Sequence, residues 1–105
     1  MKYLTLCLSR PVSRVMLEDL KAIIPGDALR IFINGLDEQR YTTLECVQDE
    51  RFCALIASAI IVWRQLGYIN TILFQSGELT RRADDASQFQ LFTMMKTSRA
   101  ILQVA

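Results

Sequence analysis

Histidine is absent from this chain. Its absence removes the commonest general base at neutral pH, the imidazole metal ligand and every histidine-dependent catalytic triad. Glycine is sparse, and no glycine-rich phosphate cradle is present: Gly35 and Gly77 stand singly, in "NGL" and "SGE". There is no basic arm either. Net charge is +1, and Arg10, Arg14, Arg40, Arg81 and Arg82 are scattered among acidic residues. A nucleic-acid partner is therefore not expected. The longest uncharged apolar run, "FCALIASAIIVW" at 52–63, is bracketed by Arg51 and Arg64. It falls well short of the roughly 20 residues that span a bilayer, and both arginines would sit in hydrocarbon. No membrane partner is expected. The N-terminal "KYLTLCL" lacks the apolar length and cleavage site of a secretory signal. Neither a metal nor a cofactor is implied.

Three cysteines are present, Cys7, Cys46 and Cys53. An odd number without close pairs suggests a reduced, cytoplasmic setting. The 105 residues make one α/β domain, 1–105, large enough to bury a core. Hydrophobic residues form 51% and charged residues 22% of the chain. That apolar surplus is more than a small interior absorbs easily, and it points to association with a second copy or with another protein.

The hydrophobic pattern predicts the elements. "KYLTLCL" alternates and reads as a strand over 2–8. After Pro11, residues Val12, Val15, Met16, Leu20, Ile23 and Ile24 recur at helical spacing until Pro25-Gly26 stops them. "ALRIFING" carries apolar groups on both faces, as a central strand covered on both sides does. Asn34-Gly35 marks a turn that either closes a hairpin onto an edge strand at 41–47 or opens a loop. Asp49 caps a helix that runs to about Leu66, with Gly67 as its C-terminal glycine. A strand follows at 70–75, and the polar "SGELTRRADDAS" reads as a loop. Asp85 and Gln88 offer a capping box for a helix over 86–97, and 99–104 reads as a final strand. The alternation predicts a small, mostly parallel sheet with helices on both faces. The competing architecture is a ferredoxin-like α+β sandwich ending in one long helix over 86–105.

The helix over 52–63 is apolar all round, so more than one side must be covered. Ala54, Ala57, Ser58 and Ala59 form a small-residue face that allows close approach, and Leu55, Ile56, Ile60 and Trp63 supply bulk. One reading buries both sides within the domain. The other gives one side to a second subunit, with Ala54, Ala57, Ser58 and Ile61 as contact residues.

Two sets of residues are candidates for chemistry. Cys46 lies just before a helix N-terminus and Cys53 within its start, where a thiolate is favoured, although Glu45, Asp49 and Glu50 oppose it. The alternative is two small apolar residues in a core. In an open parallel sheet, ligands bind beyond the carboxyl ends of the strands. Ser9, Arg10, Asn34, Ser76, Arg81 and Arg82 fall there and would hold a small anion, unless they are solvated loop residues.

"GDALRIFINGLD", "WRQLGYINTILFQSGELTRR" and "FQLFTMMKTSRAILQVA" together resemble the DsrE/TusD-type sulfur-relay family in outline: a "GD" turn, an apolar strand ending in a "DGV"-like loop, a loop with arginines and a terminal helix and strand. The resemblance implies an oligomeric α/β subunit. Catalytic members carry a sulfur-accepting cysteine at or just after the strand matching 70–75, and "ILFQSGELTRR" has none. It therefore implies a non-catalytic subunit. The functional expectation is a small, non-enzymatic, oligomeric binding or accessory subunit. The alternatives are a thiol-dependent carrier or enzyme using Cys46, or a small inhibitor or adaptor that binds one macromolecule.

Overall fold

A computed structural model describes residues 2–32 and 41–105. Among these described residues, six strands join one open sheet: β1 (Tyr3–Ser9), β2 (Leu29–Phe32), β3 (Tyr41–Val47), β4 (Ile72–Ser76), β5 (Leu79–Arg82) and β6 (Ile101–Val104). Three helices lie between them: α1 (Arg10–Ile23), α2 (Glu50–Gln65) and α3 (Gln88–Met95). The chain is an α/β protein.

Local chemistry sets the element ends. α1 begins with Pro11 in its first turn, where a missing N–H costs nothing. It ends at Ile24, whose backbone is extended (φ −112°, ψ 127°) because Pro25 follows it. Asp49 caps α2, accepting the Arg51 N–H at 2.8 Å. Gly67, at φ +79°, lets the chain turn away after α2 at the conformation an L side chain resists. The box that starts α3 is Ser87 with Gln90, reciprocal at 3.1 and 2.8 Å, rather than Asp85 with Gln88. Asp85 fits the same sequence spacing, but the helix begins two residues further on.

The strand order is β2-β3-β1-β6-β4-β5. Among the described residues, only β1 and β6 pair in parallel, with Thr5 opposite Ile101; the other four pairings are antiparallel. The expected mostly parallel sheet is corrected here. Strand and helix do alternate, but β3 inserts between β1 and β2 and pairs antiparallel with both. Periodicity does not record which strand becomes a neighbour. The region 41–47 is thus an inner strand, and β2 is an edge strand rather than a central one. The polar stretch at 76–87 holds β5, joined to β4 by a two-residue turn with Gly77 at φ +58°, as a type II′ hairpin requires. Residues 101–104 are a strand, so the architecture with one long terminal helix is not the one adopted.

Helices on both faces are also corrected. Leu4, Leu6, Leu8, Leu44, Cys46, Ile72, Phe74, Leu102 and Val104 share one sheet face and form a single core with Met16, Leu20, Ile56, Ile60, Trp63, Leu91 and Met95 from the three helices. The alternate positions Tyr3, Thr5, Cys7, Thr43, Glu45 and Gln103 are half-buried and polar-rich on the other face. A mostly antiparallel sheet tolerates this, since one side can face water. α2 is the middle helix, packed against both α1 and α3 above the sheet. That placement explains why it is apolar nearly all round.

Candidate functional site

The residues expected to bind an anion do not converge. Arg10 opens α1 just past the end of β1. β6 runs parallel to β1 and β4 antiparallel to β6, so Ser76, at the end of β4, lies at the opposite end of the sheet. Its hydroxyl donates to the Ser98 carbonyl at 2.8 Å and serves the α3–β6 turn. Arg81 and Arg82 are neighbours on β5 but point to opposite faces, Arg81 with Phe74 and Arg82 with Leu73. Arg82 is committed to Asp84, with Nη2 at 2.7 Å and Nε at 3.1 Å. Asn34 lies outside the described residues.

The thiols are core groups. Cys46 and Cys53 are both wholly buried. Burial, then the neighbouring Cys53 and the charge of Asp49, pushes the Cys46 thiol up to about 12. Burial and Asp49 also raise Cys53, while Lys96 opposes them. The helix N-terminus loses to desolvation, and Cys46 is held as a neutral thiol at pH 7. Cys7 is half-buried on the open face, where the Thr43 hydroxyl lies 3.9 Å from its sulfur. Among the described residues, no cluster of three cysteine or carboxylate side chains is placed to hold a metal.

Two concavities lie elsewhere. One, of about 380 Å³, runs between α1 and α2. Asp19, Ile23, Leu55, Ser58, Ala59 and Val62 line it, with Trp63 beneath. The Trp63 indole N–H donates to Asp19 Oδ2 at 2.8 Å and ties the two helices. Of the four expected contact residues, Ser58 and Ile61 are half-buried and Ala54 is exposed, but Ala57 is fully buried in the core. Ala57 and Ile61, one turn apart, share a side of α2, and the short Ala57 side chain is covered beside Ile56 and Ile60 while Ile61 is left half-buried. Val62, 46% exposed, and Leu66, 60% exposed, were not expected on the outer face. The all-round apolar pattern hid them.

The second groove, of about 720 Å³, lies between the β4–β5 hairpin and α3. Its walls include Phe74, Arg81, Asp85, Phe89, Thr93 and Met94. The Arg81 guanidinium sits 5.6 Å from the Phe74 ring centroid, and Phe89 is 75% exposed. Arg81 is one of the residues expected to hold an anion; Phe89, on a helix whose apolar pattern suggests a packed face, stands out in solvent. Its position, second in an eight-residue helix, puts it outside the turn that packs. The hairpin side of this groove is braced. The Ile72 N–H donates to Asp84 Oδ1 at 2.7 Å, and Arg64 Nη1 donates to the Asp84 and Ala86 carbonyls at 2.9 Å.

No family model, curated protein or solved structure matches this chain. Among the described residues, no helix is long and apolar enough to cross a membrane.

Proposed function

We propose that this chain is a small, non-enzymatic binding or accessory subunit that works by association with a second copy of itself. The observation that carries this reading is the outer face of α2 beside α1. There Leu55, Ala59 and Val62 meet Ile23 across a shallow apolar groove that no other part of the described chain fills. Val62 and Ile23 stay 46% and 37% exposed, a cost in water that an interface removes. The small side chains of Ala54, Ser58 and Ala59 let another helix approach closely. Cys46 and Cys53 held as buried, neutral thiols support a subunit that performs no thiol chemistry, in a reducing cytoplasm. In its most specific form the reading is a non-catalytic subunit of sulfur-relay type.

Light scattering after size exclusion tests it. Assembly is expected for the native chain. Val62→Glu and Ser58→Arg should both give a folded monomer, with folding checked through the emission of the single tryptophan, Trp63. A native chain that stays monomeric at high concentration ends the reading.

A further inference from the structure

β5 ends the sheet, and no strand among the described residues pairs with its outer edge. The phase of its ladder says which groups point outward. The Ala83 N–H donates to the Ile72 carbonyl at 2.7 Å. The hydrogen-bonded pairs of the ladder are therefore Phe74 with Arg81 and Ser76 with Leu79, in phase with the single bond from Ala83 to Ile72. Thr80 and Arg82 alternate with these, so their N–H and C=O groups turn to the free edge. A row of donors and acceptors at strand spacing is complementary to one thing, an extended backbone.

The larger groove lies directly beside this edge, on the helix side. On an added strand, the residue opposite Arg81 would point to that same side, and its neighbours would point to the open face. Arg81 makes no ion pair among the described residues; its partner is the Phe74 ring. Phe89 stands 75% exposed at the groove. A second copy is a poor occupant of this edge, because the self-pairing centred on Arg81 sets that side chain against its own copy.

We propose that the β5 edge and the β5–α3 groove dock an extended peptide segment of a partner protein as a seventh strand. The segment carries an acidic side chain opposite Arg81. Two residues away, on the same face, an aromatic or large apolar side chain packs against Phe89 and Met94. Main-chain hydrogen bonds from Thr80 and Arg82 supply the docking, and the two side chains supply selectivity. This surface is separate from the α1–α2 face, so either proposal can fail alone.

The test is selection of a displayed library of random linear peptides against the full chain, followed by titration of a labelled winner. The expected winners alternate and carry an acidic residue two positions from an aromatic one. Thr80→Pro removes an outward N–H without breaking a β4 bond; it should weaken binding about tenfold or more. N-methylation of the peptide's β5-facing amides should do the same. Arg81→Glu should abolish binding, and exchanging the peptide's acidic residue for lysine should restore it. Phe89→Ser, on an exposed position, should weaken binding with folding intact. No enrichment, winners indifferent to Thr80→Pro and to the charge swap, winners that protect the α1–α2 face, or self-pairing through β5 would each overturn the proposal.

Discussion

The indole N–H of Trp63 and the carboxylate of Asp19, 2.8 Å apart, join the middle helix to α1 across the floor of the α1–α2 groove. Trp63 is 1% exposed, so its polar hydrogen depends on that one acceptor. Removing the acceptor leaves a buried donor unpaired. Asp19→Ala is expected to cost about 1–2 kcal/mol in urea unfolding. Asp19→Asn keeps an acceptor oxygen and should recover most of that loss. Equal losses for the two variants would show that the carboxylate charge, not the hydrogen bond, joins the helices.

Alkaline destabilisation follows from the buried thiols. Burial raises the folded-state pKa of Cys46 from 9.0 to about 12. Its contribution is fully present below about pH 9. Above that the unfolded chain releases a proton that the folded chain keeps, so stability falls until about pH 12. The slope is at most about 1.4 kcal/mol per pH unit for each such thiol. Cys53 is shifted the same way and adds to it. Cys46→Ala should flatten the fall in unfolding free energy measured from pH 8 to 10.5. In the native chain at pH 7, both thiols should react with a disulfide reagent only as fast as the protein opens. Rapid labelling of Cys46 would revive the thiol-enzyme reading.

Asp84 carries the opposite sign. The Ile72 backbone N–H, and then the Arg82 guanidinium, lower its pKa. The stability this supplies is present above the unfolded carboxylate pKa and is lost as pH falls through the folded value. Asp84→Asn is expected to weaken the acid dependence of unfolding, and Asp84→Ala, which removes the acceptor, to speed hydrogen exchange at the Ile72 amide. Arg64→Met, which releases the Asp84 and Ala86 carbonyls, should loosen the start of α3 without touching the β1–β3 pairing. Exchange at β1 amides that rises as much as at Ile72 would show that the brace is not local.

The elements were largely legible because their signals are local. Pro11, Asp49 and Gly67 act within a few residues, and each holds the place its chemistry predicts. The neighbours of each strand were not legible. Leu4, Leu6 and Leu8 alternate with Thr5, Cys7 and Ser9, and that pattern already described a sheet covered on one side. The strand-helix alternation outweighed it and suggested cover on both. β5 was missed because all four of its residues are exposed, which leaves no hydrophobic period to detect. The expected anion site failed for the same topological reason: with antiparallel neighbours, successive strand ends fall at opposite ends of the sheet. Of the described residues expected there, Arg81 and Arg82 line a groove, and Arg81 acquires the Phe74 ring as its partner from β4, a neighbour that sequence could not fix.

Arg99 is held at φ +56° between α3 and β6, and Gly67 at φ +79° after α2. A side chain in this region costs roughly 1–2 kcal/mol. A Cβ added at Gly67 meets nothing within 4 Å, so any penalty there is conformational and not steric. Gly67→Ala should therefore destabilise the protein by about 1 kcal/mol, and Gly67→Asn by less. Arg99→Gly should act in the opposite direction. Relief of strain exceeds the added flexibility of the unfolded chain, for a net gain of about 0.5 kcal/mol. Arg99→Ala, which keeps the strain, should leave stability nearly unchanged. Thermal unfolding of the three glycine and alanine variants beside the native chain checks the pattern. A loss of stability in Arg99→Gly would show that the Arg99 side chain makes a stabilising contact larger than the strain it bears.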